Sequence, residues 1–553
     1  MELIKKYNRQ LLIVVIGVLF FLPYLGNVHL FDWDEINFAE AAREMIVTGD
    51  YLNVRIDFVP FHEKPPLFIW LQATSMHIFG INEFAARLPN AIIGIISLIF
   101  LYEAGKRIFD EMFGLFWVLV YIGSILPHFY FKTAIIDPLF NLFMFSGIYY
   151  IFRYYTDNLN LKHIIFASLL IAGAVMTKGP VGFLLPTLSW LIFIILQRKI
   201  YKYPFKEFAI YTIISLVPAS IWYLLIFLNS DSGLISDFIS YQIRLLTTGD
   251  AGHSGPIYYH FVVLLIGCFP ASVLILRAFR NINDDTEDRK TFKLLNIILL
   301  SVVLVIFSLV KTKIVHYSSL AYFPITYLAT ITLYYTATSK IKWKLSSTIL
   351  LAFIGLIFSL LLFWFPIIIM NIDLFLPRID DEFTREVLKS NVHWNGNEWV
   401  IGLVYFIGLL ISLILISRDK LIRGFLFLFG SSALSIFLIL PILAPKIEAY
   451  TQNAPIEFYN SLLDKDVYIH NIGFKSYAPY FYGQRKLENS PSFLKMNPNE
   501  YEQYLLEGDI NKDVYLVAKL DKGQELLATY SDLVLIRIKN GFVFMERKKK
   551  LFK

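Results

Sequence analysis

The chain has 553 residues, of which 56% are hydrophobic and 17% aromatic but only 17% charged, where soluble domains carry about a quarter charged residues. That excludes a disordered chain and a single soluble globule, and it points to the membrane. The net charge of +6 does not indicate a nucleic-acid partner, because the basic residues sit in short clusters between apolar runs, where membrane topology accounts for them.

A bilayer-spanning helix needs about 20 mostly apolar residues. Thirteen stretches qualify, near 10–27, 87–105, 113–130, 136–153, 163–177, 180–196, 208–228, 257–277, 293–310, 317–336, 346–370, 398–417 and 422–442. Lys5, Lys6 and Arg9 precede the first, but Gly26-Asn27-Val28-His29-Leu30 offers no small-x-small cleavage site, so it reads as a retained span. The single cysteine, Cys268, lies within an apolar run and has no partner for a disulfide within the chain.

The lysines and arginines orient these spans. With the N-terminus inside, the inner loops carry Lys106 and Arg107, Arg153 and Lys162, and Arg198, Lys199, Lys202 and Lys206. They continue with Arg277, Arg280, Arg289, Lys290 and Lys293, then Lys340, Lys342 and Lys344, then Arg418, Lys420 and Arg423. The outer short loops carry only Lys132, Lys178, Lys311 and Lys313. The expected fold is therefore mostly α, a polytopic membrane region over 1–442 with about thirteen spans and a small soluble α/β domain over 443–553 on the outer side. Within that domain, Asp466–Ile472, Asp513–Leu520, Asp532–Ile538 and Phe542–Arg547 read as strands, and Asn540-Gly541 as a hairpin turn. Ala454–Leu463 and Asn497–Leu506 read as helices. Two outer loops, 27–86 and 229–256, are long enough to carry function.

The first outer loop opens with Phe31-Asp32-Trp33-Asp34-Glu35, and a helix from Ile36 to Val47 follows, stopping at Gly49. Its apolar residues fall on one face, as in a helix lying on the membrane surface. Asp34 reads either as the helix N-cap or as a functional carboxylate. Phe61-His62-Glu63-Lys64-Pro65-Pro66-Leu67 then leads into a second helix, which places an acid and a base at a helix mouth. Such a pair suits an anionic headgroup or a metal, or is a plain interfacial ion pair. Asp137-Pro138 opens the fourth span; an acid there is costly in lipid and a functional candidate, with capping as the alternative.

Lys178 sits in a tight outer turn, and Lys311, Lys313, His316 and Tyr317 in another, where the lysines depart from the charge rule and either snorkel or attract an anion. The middle loop holds His253 in a Gly-rich stretch, a metal ligand only if partnered with Glu63. All these groups map to one boundary, the outer one. Carboxylates and cations at that depth fit chemistry on a lipid-linked phosphate.

Asp34-Glu35, Ala42-Arg43-Glu44-Met45, Thr48-Gly49-Asp50 and Glu63-Lys64-Pro65-Pro66-Leu67 with Trp70 together resemble the first outer loop of the aminoarabinose transferases. These are relatives of the protein O-mannosyltransferases in the GT-C class of membrane glycosyltransferases. Asp137-Pro138, Thr177-Lys178-Gly179-Pro180 and the Lys313/His316/Tyr317 turn extend the resemblance. It implies a polyprenyl-phosphate sugar as donor, with Asp34 and Asp137 catalytic and Lys64, Lys313 and Tyr317 holding the donor. It also implies a divalent metal on Glu63 and His253, although Ser254-Gly255-Pro256 follows where the family often has an arginine. Glu35, Lys178 and His316 are further candidates. The acceptor could be lipid A, another envelope glycan or lipid, or a secreted protein.

A transporter would instead place polar or broken helices at the bilayer midplane, and a scaffold would not need the carboxylates. The orientation has a direct check. A reporter active only in the cytoplasm, fused after Lys553, is expected to be silent in cells, and an active fusion would invert the assignment.

Overall fold

The computed structural model describes residues 7–61, 63–198, 204–229, 240, 244, 254–280 and 285–549. All thirteen expected spans contain helix, but they are unequal. Helix α1 (Asn8–Phe21) is followed in the first outer loop by α2 (Asp34–Thr48) and α3 (Leu67–Phe79), with a short antiparallel ribbon, β1 (Arg55–Ile56) and β2 (Val59–Pro60), between those two. The bundle continues with α4 (Glu83–Ile108), α5 (Glu111–Ile122), α6 (Ile125–Phe129), α7 (Asp137–Thr156), α8 (Leu161–Lys178), α9 (Val181–Leu196) and α10 (Phe205–Asn229). Then come α11 (Tyr259–Gly267), α12 (Ala271–Leu274), α13 (Glu287–Leu309), α14 (Tyr322–Ala337), α15 (Leu345–Met370), the short α16 (Glu382–Leu388), α17 (Val400–Ser417) and α18 (Leu421–Ile442).

Among the described residues, seven helices are individually long and apolar enough to cross a membrane, and nine spans result when each of two bent pairs counts as one. The expected spans at 113–130 and 257–277 are the bent pairs, turning by 84° and 110°. The first breaks at Gly123-Ser124 and the second before Pro270, which cannot donate to the helical ladder. Helices α7 and α14 are surrounded by protein: both are buried along nearly their whole length, and α14 is short, with 16 residues. Helix α15 is the opposite. Ile349, Phe353, Leu360, Leu361 and Trp364 are exposed along it, a surface that needs hydrocarbon as its solvent. The chain is a multi-pass integral membrane protein.

Capping follows the sequence. Asn82, Asp110, Asn160 and Thr286 each accept a backbone N–H at the start of α4, α5, α8 and α13, satisfying donors that a helix start leaves open. Gly49 ends α2 in the left-handed region at φ 71°, where a side chain would be strained.

The C-terminal α/β domain contains β3 (Tyr468–Ile472), β4 (Val514–Lys519), β5 (Val534–Lys539) and β6 (Phe542–Arg547) in the order β3-β4-β6-β5. The first pair is parallel and the others antiparallel. Asn540 and Gly541 both have positive φ, at 54° and 75°, as a tight hairpin turn requires. The expected helices appear as Asn453–Asn460 and Pro498–Glu507; Leu520–Thr529, which carries a glycine at Gly523, is an additional one. Also unanticipated is the stretch 371–399, whose α16 packs Phe383 edge-on against Phe542 of β6.

The surface-helix reading of α2 is corrected. Residues 35–45 are all buried, because the C-terminal domain covers the face that would meet water. Buried Arg43 pairs with Glu40 at 2.6 Å and donates to the Arg485 carbonyl, and Arg485 clamps Asp57 with 2.7 and 2.8 Å bonds. The polar face of α2 thus meets another protein surface. Glu40 is neutralised by Arg43, while buried Glu44 accepts the Phe58 N–H and has its pKa pushed up by burial and by Glu40.

Candidate active site

The first outer loop is fixed by one buried ion pair. Glu35, at the start of α2, receives Arg87 of α4 through bonds of 3.0 and 2.7 Å. The remaining Arg87 donors go to the carbonyls of Leu25, Val28 and His29. The Glu35 carboxylate also accepts Phe31 N–H at 2.8 Å and Ala134 N–H at 2.6 Å. One residue therefore ties α2, α4 and the segment leading into α7 together. Its neighbour Asp34 is carried to a set position by that tie.

Asp34 is not spent as a cap. It is the first residue of α2, Trp33 occupies the N-cap, and among the described residues no backbone N–H donates to its carboxylate. Its side chain is 43% exposed, with His316 Nε2 3.6 Å from one carboxylate oxygen.

Asp137 is likewise the first residue of α7 and makes no side-chain cap bond. The segment before it is held by Asn90, which donates to the Thr133 and Ile135 carbonyls at 2.7 and 2.6 Å, and by Gln72, which donates to Ala134 O at 3.4 Å. The buried Asp137 carboxylate accepts Lys178 Nζ at 2.7 Å. Lys178 ends α8, and Gly179 after it turns the chain with φ 80°. The Lys178 ammonium also lies over the Phe140 and Tyr317 rings, 5.6 and 5.4 Å from their centroids.

Lys64 lies 3.8 Å from Glu63. Burial lowers its pKa; Glu63, Asp34 and Asp137 oppose that, while Lys178 adds to it. His316 is lowered in the same way, by burial first, against Asp137 and Asp34. The mutual influence places Asp34, Asp137, Lys64, Lys178 and His316 in one electrostatic cluster. Five residues from separate stretches of chain converge there.

The other candidates divide. Tyr317 is in the cluster through Lys178. Glu35 is its anchor, with both carboxylate oxygens engaged. Lys313 is turned away: its ammonium donates to the Phe307, Ser308 and Val310 carbonyls at 2.8, 2.7 and 2.6 Å. It neutralises the negative end of α13, a role that suits a lysine at that position. His253 lies outside the described residues, and no group of three or more metal-ligating side chains occurs among those described. With an ammonium 3.8 Å away, Glu63 does not form a divalent site with the described residues.

Sequence reasoning missed Arg87, Asn90 and Gln72, which position the carboxylates, because polar residues inside apolar helices carry no local signal of their partner. It also missed the C-terminal domain's approach to the site. Tyr477 N–H donates to half-buried Asp32 at 3.2 Å, and Trp33 Nε1 donates to the Lys475 carbonyl at 3.1 Å.

The family described as dolichyl-phosphate-mannose-protein mannosyltransferase matches residues 63–223, a stretch that holds Glu63, Lys64, Asp137 and Lys178. An undecaprenyl phosphate-alpha-4-amino-4-deoxy-L-arabinose arabinosyl transferase from Yersinia enterocolitica is 26% identical over 326 residues, covering 57% of each chain. Its counterpart from Photorhabdus laumondii is 26% identical over 272 residues, covering 48% of each. The chain thus spans about half the length of the curated relatives it matches. The crystal structure of ArnT from Cupriavidus metallidurans bound to undecaprenyl phosphate superimposes with a TM-score of 0.78, covering 98% of both chains at 17% identity. The chain shares the fold of that ArnT structure, and the resemblance to the aminoarabinose transferases and the protein mannosyltransferases is borne out as a similarity.

Breaking a buried ion pair from one side costs about 3–5 kcal/mol, because the other charge is left unpaired. Lys178→Met is therefore expected to lower the thermal midpoint of the detergent-solubilised protein, and Asp137→Asn in the same chain to recover most of the loss. Additive effects in this double-mutant cycle would mean that the two side chains are not coupled.

Proposed function

We propose that this chain is a glycosyltransferase that moves a sugar from a polyprenyl-phosphate donor to an envelope acceptor such as lipid A, at the outer face of the inner membrane. The observation that carries the reading is the cluster itself. An uncapped, half-exposed carboxylate (Asp34) sits beside a buried, lysine-clamped one (Asp137), with a second lysine (Lys64) in the same field. The arabinosyl transferases similar in sequence and the undecaprenyl phosphate bound in the structure with the same fold support this donor class.

In this reading the sugar's anomeric carbon is attacked by an acceptor oxygen as its bond to the donor phosphate breaks. The phosphate leaves with the bonding pair. We expect one displacement with inversion. Lys64 faces the leaving phosphate, where its ammonium meets negative charge that grows along the reaction. Lys178 holds Asp137 in place next to the sugar and balances its charge. If the acceptor is a hydroxyl, Asp34 takes its proton; if it is a phosphate, Asp34 positions it and no proton need move. No nucleotide enters, in keeping with the lack of a Gly-rich phosphate loop.

Two substitutions test this. Asp34→Asn conserves shape and is expected to reduce transfer from a synthetic polyprenyl-phosphate sugar by about 10²-fold or more, as for removal of a positioned acid-base group. Lys64→Ala is expected to lose a comparable amount, about 3 kcal/mol in transition-state stabilisation. Lys64→Arg should fail to restore it, because a planar guanidinium does not reproduce a compact ammonium. Wild-type turnover by either Asp34→Asn or Lys64→Ala, at matched protein levels in detergent, would remove that residue from the mechanism.

A further inference from the structure

The C-terminal domain reaches the candidate active site through the loop that follows β3, residues 473–477. Two hydrogen bonds pin this loop to the first outer loop: Trp33 Nε1 to the Lys475 carbonyl at 3.1 Å, and Tyr477 N–H to the Asp32 carboxylate at 3.2 Å. Asp32 is half-buried, and desolvation raises its pKa to about 6 against the Ser476, Tyr477 and Lys475 interactions. Between the two pins, the Lys475 side chain folds back. Its ammonium lies 4.7 Å from the Trp33 ring centroid and 5.4 Å from that of Tyr477.

Three features of this corner stand out. First, Trp33 directly precedes Asp34, and the Asp34 charge acts on Tyr477, so the corner adjoins that half-exposed carboxylate. Second, Trp33 is 36% exposed and Tyr477 is half-buried, leaving aromatic surface open beside Asp34. Third, the charges are unequal in their commitments. Lys178 is bonded to Asp137, Lys313 to three carbonyls, and Lys64 lies beside Glu63. The exposed Lys475 ammonium makes no ion pair or hydrogen bond among the described residues, and neither does the Tyr477 hydroxyl. Burial first, then the Glu63, Asp32 and Asp34 charges, push the Tyr477 phenol up and keep it protonated as a donor.

We propose that the 473–477 loop completes an acceptor subsite, in which the Trp33 and Tyr477 rings support a saccharide headgroup and Lys475 pairs with an anionic group it carries. The subsite takes an anionic glycolipid, and the inference rests on the glycosyl-transfer reading above. Trp33 and Tyr477 offer flat apolar faces with a polar edge, as carbohydrate-sized ligands need. A cation resting on those rings is pre-positioned and loses little freedom when an anion arrives. The arrangement gives the C-terminal domain a part in substrate recognition. The donor is held by the membrane bundle and the first outer loop, while the acceptor is read partly by the domain that covers them.

Steady-state transfer by the full-length protein in detergent tests this, with a synthetic polyprenyl-phosphate sugar as donor and bisphosphorylated lipid A as acceptor. Lys475→Ala is expected to raise the acceptor KM about tenfold, the effect of losing one charge-assisted contact. The donor KM and kcat should stay within about twofold, the pattern for a contact made equally in ground and transition states. Lys475→Arg should restore the acceptor KM, and added salt should weaken acceptor use by wild type more than by Lys475→Ala. An unchanged acceptor KM in Lys475→Ala overturns the subsite while leaving glycosyl transfer intact. A parallel rise in donor KM with a lower thermal midpoint assigns Lys475 to holding the two domains together and also overturns it. A wild-type protein that neither transfers to lipid A nor consumes the donor removes the glycosyl-transfer reading, and the subsite with it.

Discussion

The Glu35–Arg87 pair is the constraint from which the site is built. A carboxylate buried at the membrane boundary is tolerable only when its lone pairs are occupied. Glu35 achieves this with a two-pronged arginine and two backbone donors from different parts of the chain. Arg87 in turn spends its other donors on the chain leaving the first span. The consequence is geometric. The start of α2, the N-terminal part of α4 and the entry to α7 cannot move independently, so Asp34 and Asp137, each the first residue of a helix, hold a fixed relation.

The same pairing of charges recurs throughout this end of the bundle. Asp137 is matched by Lys178, Asp57 by Arg485, Glu40 by Arg43, and the carbonyl end of α13 by Lys313. In a low-dielectric setting each pairing removes a charge that would otherwise be expensive to bury. What is left over then becomes informative. Among the described residues, Asp34 is half-exposed, carries no capping bond and has a histidine as its near partner, and Lys475 rests on aromatic rings without a close ion pair, within the field of Asp32. Incompletely paired groups of this kind are what the proposed substrates would complete.

The C-terminal domain is more than an appendage to this arrangement. It buries the polar face of α2, supplies Arg485 to the β1–β2 ribbon through Asp57, and pins the Asp32-Trp33 turn from outside. The first outer loop is thus enclosed between a membrane bundle and a mixed sheet. This explains how a loop rich in charged residues can be buried and still present one open carboxylate.

Much of this was legible in the sequence. The apolar runs marked the order of the spans, because a membrane helix must satisfy its backbone internally and so needs a long apolar stretch of chain. The strands, the Asn540-Gly541 turn and the α2 stop at Gly49 were equally local matters of alternation and φ. The acidic and basic motifs marked one boundary as the candidate site, since charges there are costly without a purpose. Pairing was not legible. Whether Asp34 caps a helix or stays open, whether Lys313 faces an anion or a helix end, and which side of α2 is covered all depend on partners elsewhere in the chain, many of them tens to hundreds of residues away. Glu35 meets Arg87, Asp137 meets Lys178, and Asp32 meets Tyr477 only once the chain is folded. Side-chain commitment is a property of neighbours in space, and one-dimensional periodicity reports only which face a residue is on, not what it finds there.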